Sequence, residues 1–431
     1  MIRVLIVDDA AVVRHILKDV IDAEDDMVVV GAAANGQAGV TMMHELVPDA
    51  VVMDIEMPVM TGLEALTVLR EEGNEIPVIV FSTVTDRGAE ATIDALALGA
   101  RDYVTKPTKV GNFVEGVAQV REELLSRIRM FAGEHNRALA RRAERSARAA
   151  NPTGAPAGGA VKTPAASSSP PRPSTRSDRG TPVVGDTAST IPVQATPPIP
   201  AGPETPVRSG PAASRATPPP RPEVRSRRGS GSKIEILAIA SSTGGPGALE
   251  EVLCGLPADL PVPVVVVQHM PPMFTARLAE RLDKKSSLTV VEATAGLRPE
   301  PATVYLAPGD YHLELTGGSS LDAVTALNQN EPENFCRPSA DVLFRSVARL
   351  YRDRALGLVL TGMGEDGMRG AVEMAATGAE ILAQDEATSV VWGMPGAVAA
   401  AGITSEIIPL GDIAAAVCRR LESITVPLGR N

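Results

Sequence analysis

Ser242, His269 and Asp366 are the residue types that turn a hydroxyl into a nucleophile: an attacking oxygen, a base to take its proton and an acid to orient the base. Each stands at or just past a short apolar run. Ser242 follows ILAIA, His269 follows VVVVQ, and Asp366 lies in LTGMGEDG at the end of ALGLVL. Beyond residue 232 the only histidines are His269 and His312, which narrows any serine–histidine mechanism. Thr243-Gly244-Gly245 come next after the serine. Small residues at such a turn expose backbone N–H groups that favour a negative oxygen, either that of a bound phosphate or an oxyanion formed in acyl transfer. The turn is not G-x-G-x-x-G, no Walker lysine follows it, and it is not a G-x-S-x-G elbow. On the residues alone, a serine hydrolase and a nucleotide-binding module both stay open.

A second group lies near the start of the chain. Asp8 and Asp9 end the run VLIV, Asp54 ends AVVM, Ser82 ends VIVF, and Lys106 follows DYVT just before Pro107. Carboxylates converging on one edge repel one another unless a cation joins them, and hard oxygen ligands with room for water suit Mg²⁺. A hydroxyl and an ammonium at the same edge suit a phosphoryl group. One aspartate at a strand end is adequately explained as a helix cap; the set of DD, D, S and KP at successive strand ends is not.

These side chains need a frame that brings strand ends together. IRVLIV, DAVVMD and IPVIVFS are uninterrupted and β-branched, as strands buried on both faces are. AAVVRHILKDVIDA and GLEALTVLREEG between them have helical patterning, so residues 1 to about 130 are expected to form a parallel α/β domain of the (βα)5 kind. QVREELLSRIRMFAGEHNRALARRAERSARA then reads as a charged helix running out of that domain. From Lys233 the alternation resumes with IEILAIA, VPVVVVQH, ATVYLAP, ALGLVLTGM and EILAQD as strands, and PSADVLFRSVARLY and GMRGAVEMAATG as helices. A second parallel-sheet α/β domain is expected over 233–428. In such sheets the carboxyl ends of the strands share one edge, so one crevice can hold Ser242, His269 and Asp366.

Residues 131–232 differ from both flanks. The stretch 151–230 has 18 of the chain's 36 prolines and no Phe, Trp or Tyr. It cannot bury enough apolar surface to offset its ordering entropy, and a disordered linker is expected. Charge supports the division: basic against acidic residues number 11 to 23 over 1–134, 15 to 5 over 135–232 and 15 to 24 over 233–431. Aromatics are only 3% of the chain, which argues against a base-stacking surface. The output region is acidic and shows no helix-turn-helix pattern, so nucleic acid is not an expected partner. The three cysteines, Cys254, Cys336 and Cys418, are far apart and form no C-x-x-C pair. MIRVLIVDDA lacks signal-peptide patterning, and no apolar run approaches the ~18 residues of a membrane span. The expectation is a cytoplasmic protein that does not insert into a membrane.

With these motifs in place, residues 1–125 resemble the receiver domain of two-component response regulators. The resemblance implies that Asp54 accepts a phosphoryl group from a histidine kinase. It implies that Asp8, Asp9, Asp54 and the Glu56 backbone carbonyl hold Mg²⁺. Ser82 and Lys106 would contact the phosphoryl oxygens, with Tyr103 as the aromatic that reports the change. SSTGGP, VVVQHMPPMFT, RPSADVLFRS, LTGMGEDG and VVWGMPGAV together resemble the catalytic domain of the chemotaxis protein-glutamate methylesterases. This second resemblance covers most of 235–420. It implies hydrolysis of glutamate methyl esters on chemoreceptor cytoplasmic helices, often with deamidation of particular glutamines, and no cofactor in the catalytic domain. Carried onto this sequence, Ser242 is the nucleophile, His269 the general base and acid, and Asp366 the orienting residue; backbone N–H groups near Thr243 and Met363 are oxyanion-hole candidates.

Two features depart from the family pattern. Ser241 stands where the family usually has Ala, and strand alternation should aim its hydroxyl away from that of Ser242. The linker is also much longer than is usual, which lowers the effective concentration of one domain beside the other. Two further functions fit part of the pattern: a non-catalytic phosphate sink or adaptor, which the intact triad set disfavours, and a DNA-binding regulator, which the acidic output region disfavours.

Overall fold

The computed structural model describes residues 1–106, 113–150 and 233–422. The proline-rich stretch 151–230 expected to be a linker lies outside them.

The first sheet is built from β1 (Ile2–Val7), β2 (Met27–Ala33), β3 (Ala50–Met53), β4 (Val78–Ser82) and β5 (Asp102–Thr105), alternating with α1 (Ala11–Asp22), α2 (Gly36–Leu46), α3 (Gly62–Glu71) and α4 (Asp86–Ala97). Strand order is β2-β1-β3-β4-β5, every pair parallel. β3 and β4 are buried along their whole length, as their unbroken apolar runs require. From β1 the chain passes to β2 on one side and then to β3 on the other. The resulting crevice at the carboxyl ends of β1 and β3 is the usual place for a site in such sheets. The long α5 (Phe113–Ala150) follows. Its Leu124, Leu125, Ile128 and Phe131 are buried with Val4, Ile6, Ile79 and Phe81. The helix expected only to run outward thus docks on the sheet through an apolar stripe first.

The second sheet has seven parallel strands in the order β14-β13-β12-β6-β7-β9-β8. In chain order its elements are β6 (Ile236–Ser241), α6 (Gly245–Cys254), β7 (Val264–Gln268), α7 (Phe274–Lys285), β8 (Thr289–Glu292) and β9 (Thr303–Leu306). An antiparallel hairpin, β10 (His312–Thr316) and β11 (Val324–Asn328), stands outside the sheet. Then come α8 (Ala340–Tyr351), β12 (Ala355–Val359), α9 (Met368–Ala376), β13 (Glu380–Gln384), α10 (Met394–Ala400), β14 (Glu406–Ile408) and α11 (Leu410–Glu422). β6, β7 and β12 are wholly buried. From β6 the chain turns to β7 on one side, while β12 returns on the other, so the second crevice opens beyond β6 and β12. The sheet strands expected from the sequence are present; β8, β14 and the hairpin are additional.

Both sheets belong to one compact unit. α4 packs on α6 and α7. Among the described residues no helix is long and apolar enough to cross a membrane.

Candidate active site

At the edge of the first sheet, Asp8 and Asp54 are buried and Asp9 is exposed. The carboxylate oxygens of the three lie within 4.8 Å of one another. Lys106 Nζ reaches Asp8 Oδ2 at 2.8 Å and Asp54 Oδ2 at 2.7 Å. Asp54 Oδ1 accepts from the Ile55 N–H at 2.7 Å. None of these aspartates caps a helix in the ordinary way: the N-cap of α1 is Ala10, which gives no side-chain cap, and α3 is capped by Thr61 in a box with Glu64. Burial pushes the Asp54 carboxyl up, and only the Lys106 ammonium and the Ile55 N–H act against it. A crowded hard-oxygen set with one lysine is a fitting place for a further hard cation such as Mg²⁺. The Glu56 carboxylate turns outward to Arg87 at 3.2 Å. Ser82 Oγ is buried and donates to the Gly88 carbonyl at 3.2 Å. Tyr103 lies one strand over. Its ring stacks on Phe274 of the second sheet's layer, with centroids 5.0 Å and planes 10° apart.

At the edge of the second sheet, Ser242 follows β6 and is half-buried. Its backbone N–H donates to Thr361 O at 3.0 Å, and its carbonyl accepts from Gln268 Nε2 at 2.9 Å, so both neighbouring strand ends pin it. Gly244 takes φ +75°, a left-handed turn that L side chains resist, and a Cβ there would strike Val390 at 2.5 Å. Ser241 points away. It is fully buried, and its Oγ donates to Gln268 Oε1 at 2.7 Å, as strand alternation predicts.

His269 follows β7, and its Nε2 meets Asp366 Oδ2 at 2.7 Å. Asp366 does not cap the helix after it, since the N-cap of α9 is Gly367 and no side chain caps it. It serves α8 instead. Oδ2 accepts from the Ala340 N–H at 2.6 Å, and Oδ1 accepts from Ser339 Oγ at 2.7 Å, Asn334 Nδ2 at 2.7 Å and the Asp341 N–H at 3.2 Å. Burying a lone carboxylate costs several kcal/mol. Donors to a charged group contribute about 1.5–3 kcal/mol each, and the positive end of a helix adds to them. The donors win: although burial works against it, Asp366 is held below the usual carboxylate range by His269, Ser339 and Ala340. His269 is half-buried, and its partial loss of water disfavours its charge, yet the bond to Asp366 and the neighbouring Cys336 drive its basicity up.

Nδ1 is the remaining ring nitrogen. It faces Cys336 Sγ at 3.6 Å. Among the described residues Ser242 Oγ makes no hydrogen bond, so it is not bonded to His269 in this state. The N–H groups of Thr243 and Met363 also have no acceptor among the described residues. Ser242, His269, Cys336 and Met363 line one cleft of about 910 Å³ that Tyr103 and Arg127 of the first sheet's layer also border. Thr243 Oγ1 donates to Asp102 Oδ2 at 3.0 Å, and Arg127 Nε donates to the same oxygen at 2.7 Å. The residue beside Ser242 is thereby tied to the residue beside Tyr103.

A family model described as CheB methylesterase matches residues 237–417, and one described as response regulator receiver domain matches residues 4–118. A protein-glutamate methylesterase/protein-glutamine glutaminase of Nocardioides sp. is 41% identical, covering 97% of this chain and 95% of that protein. One of Trichodesmium erythraeum is 36% identical, covering 97% of this chain and 99% of that protein. The chain belongs to the protein-glutamate methylesterase family. Among solved structures, the Thermotoga maritima CheB methylesterase catalytic domain is 40% identical; it covers 43% of this chain and 98% of that one, with a TM-score of 0.42.

This methylesterase-family chain uses several residues that sequence reasoning did not single out. Gln268, Thr361 and Gln384 are buried polar side chains that hold the Ser242 turn. Thr361 Oγ1 donates to Thr243 O at 3.0 Å, and Gln384 Oε1 accepts from the Thr361 N–H at 2.8 Å. Their signal was a polar residue closing an otherwise apolar strand. Asn334, Ser339 and Cys336 sit in irregular backbone, and only the position of RPSAD next to the α8 helix pattern hinted at Ser339.

Proposed function

We propose that this chain hydrolyses glutamate methyl esters on chemoreceptor cytoplasmic helices under control of phosphorylation at Asp54, in a cytoplasmic signalling pathway. The proposed division is a receiver over 1–130, a connecting segment over 131–232 and a catalytic domain over 233–428. The single observation that carries the catalytic half is the His269–Asp366 pair beside Ser242 at the switch point of the second sheet.

The chemistry runs as acyl transfer. His269 in its neutral, Nε2-protonated form turns from Cys336 toward Ser242 and takes the Oγ proton as Oγ attacks the ester carbonyl. Negative charge develops on the carbonyl oxygen, where the free N–H groups of Thr243 and Met363 can receive it. Asp366 keeps Nε2–H directed at itself, so the proton comes and goes at Nδ1. Collapse expels the methoxy group, which leaves as methanol with the proton from His269. Water then attacks the Ser242 ester with His269 again as base, freeing the glutamate carboxylate. A glutamine amide follows the same route with loss of ammonia.

Regulation begins at the other edge. Asp8, Asp9, Asp54 and the Glu56 carbonyl would hold Mg²⁺, which when bound supplies countercharge for an incoming phosphoryl group. A histidine kinase is the phosphodonor. A phosphoryl group on Asp54 adds roughly −1.5 to −2 charge and draws Lys106 and Ser82. Movement there alters the seat of Tyr103 on Phe274 and the Asp102–Thr243 bond, and the cleft opens. Methanol release from methylated receptor membranes tests the catalytic half. It should appear with the wild type and vanish with Ser242→Ala; persistence in that variant would remove Ser242 from the role.

A further inference from the structure

We propose that Phe335 is a specificity-determining residue, an apolar anchor that seats the receptor segment flanking the methyl ester against the cleft of Ser242. The inference rests on the methylesterase reading above and names the part of the surface that recognises the macromolecular substrate.

Residues 333–336 form a tight turn. The Glu333 N–H donates to Cys336 O at 3.2 Å, and the Cys336 N–H donates to Glu333 O at 2.8 Å. Both central residues are left-handed, Asn334 at φ 51° and Phe335 at φ 62°. That is the backbone of a type I′ turn, whose usual pair is Asn-Gly. Asn334 fits its place. Phe335 stands where glycine is favoured, because a Cβ in the left-handed region meets the following carbonyl. Strain of this kind persists where surroundings enforce it, and it gathers at functional sites.

Burial within the chain does not offset that strain. Phe335 has a relative exposure of 104%, the highest of any large apolar side chain among the described residues. The other phenylalanines whose side chains are described, Phe81, Phe131, Phe274 and Phe344, are all buried. In a chain with 3% aromatics, one aromatic ring is placed in solvent on a position that disfavours it.

The turn that carries the ring is fixed to the reacting groups. Asn334 Nδ2 bonds both Asp341 Oδ2 at 2.9 Å and Asp366 Oδ1 at 2.7 Å. Cys336, on the other side of the ring, faces His269. Glu333 pairs with Arg345, and Arg337 Nε donates to Asp310 Oδ1 at 3.0 Å. Phe335 and the half-exposed Met363 border the same cleft as Ser242. An ester side chain that reaches Ser242 therefore brings its parent backbone against this rim. An aromatic held on a rigid turn supplies binding energy there at little entropic cost, away from the reacting bond.

The test compares two substrates with the full chain and a small phosphodonor: methylated receptor membranes and N-acetylglutamate γ-methyl ester, which has no flanking segment. Phe335→Ala and Phe335→Gly should lower the ratio of receptor to small-ester kcat/KM about tenfold, mainly through the receptor KM. Phe335→Leu should recover part of it. Phe335→Gly should also raise Tm, since glycine suits the left-handed position. A ratio within twofold of wild type for both variants would overturn the anchor. So would equal losses on both substrates with a lowered Tm, which would make the turn a support for Asp366 alone. A Phe335→Ala variant that turned a wild-type dimer into a monomer with the ratio unchanged would assign the ring to self-association instead. If the wild type hydrolyses neither ester, the methylesterase reading fails, and that result is distinct from failure of the anchor.

Discussion

The two sheet edges solve the same placement problem and prepare their carboxylates in opposite ways. Asp54 and Asp366 both sit past the end of a buried parallel strand, and both are themselves buried. Asp366 accepts from two backbone N–H groups, a hydroxyl, an amide and an imidazole, and is held low. Asp54 has one N–H, shares Lys106 with Asp8 and is pushed up. A carboxylate whose lone pairs are fully engaged orients a neighbour and does not react. One that is underprovided with donors is poised to change its covalent state and to pull its single lysine with it. The difference between a fixed support and a switch is thus written in the donor count.

The largest expected effect lies on the fixed side. Asp366→Asn should cut kcat by about 10³–10⁴-fold, because the amide can donate to Nε2 and favour the wrong ring tautomer. The same substitution should lower stability with a definite pH dependence. His269 is raised in the fold, so its share is complete below its unfolded value near ~6.5 and fades as pH rises through the folded value. Asp366 is lowered, so its share is complete above ~4 and is lost as pH falls through its folded value. The gap between wild type and variant in denaturant titrations should therefore be widest between about pH 4 and 6.5. A gap that does not vary with pH would break the account of a charged pair.

The contact between the layers should yield a smaller effect. Arg281 bridges Asp94 on α4 at 2.6 Å and Glu250 on α6 at 2.9 Å. Arg281→Glu sets like charges against each other there and should raise ester hydrolysis without phosphodonor about fivefold, on the order of 1 kcal/mol. The stimulation ratio should shrink by the same factor, because a population already released from the contact by phosphodonor gains nothing further from its loss. Unchanged activity without phosphodonor would mean that this contact does not restrain the cleft.

The smallest effect should have the opposite sign to that of Asp366. Asp54 is raised in the fold, so its charge costs stability once pH exceeds its unfolded value near ~4. Asp54→Asn should stabilise the chain at neutral pH without Mg²⁺, with no gain in strong acid. Excess Mg²⁺ should stabilise the wild type more than the variant and so narrow the difference. A destabilised Asp54→Asn would show that the two carboxylates are prepared alike.

Much of this was legible because chemistry and frame coincide in the sequence. Unbroken β-branched runs mark strands buried on both faces, and the residue at the end of each run falls at the crevice. Asp8, Asp54, Ser242 and His269 were found that way. Asp366 was legible as an acid near a strand end but not as the partner of α8, since a support that crosses 26 residues to Ala340 leaves no local periodicity. Asn334 and Cys336 were illegible for the same reason: an irregular turn carries no repeat. The docking stripe of α5 was present as Leu124, Leu125, Ile128 and Phe131 at helical spacing, but the charges around it suggested a free helix. Asp102 was visible only as the start of a strand; that it accepts from Thr243, 141 residues away, comes from tertiary packing alone.

The central proposal is that phosphorylation of Asp54 at the first sheet governs hydrolysis at Ser242 on the second. Its most direct measurement is methanol release from methylated receptor membranes with and without a small phosphodonor, in wild type and Asp54→Asn. The account predicts stimulation in the wild type and none in Asp54→Asn, whose unstimulated release persists. Equal stimulation in the two proteins would contradict it.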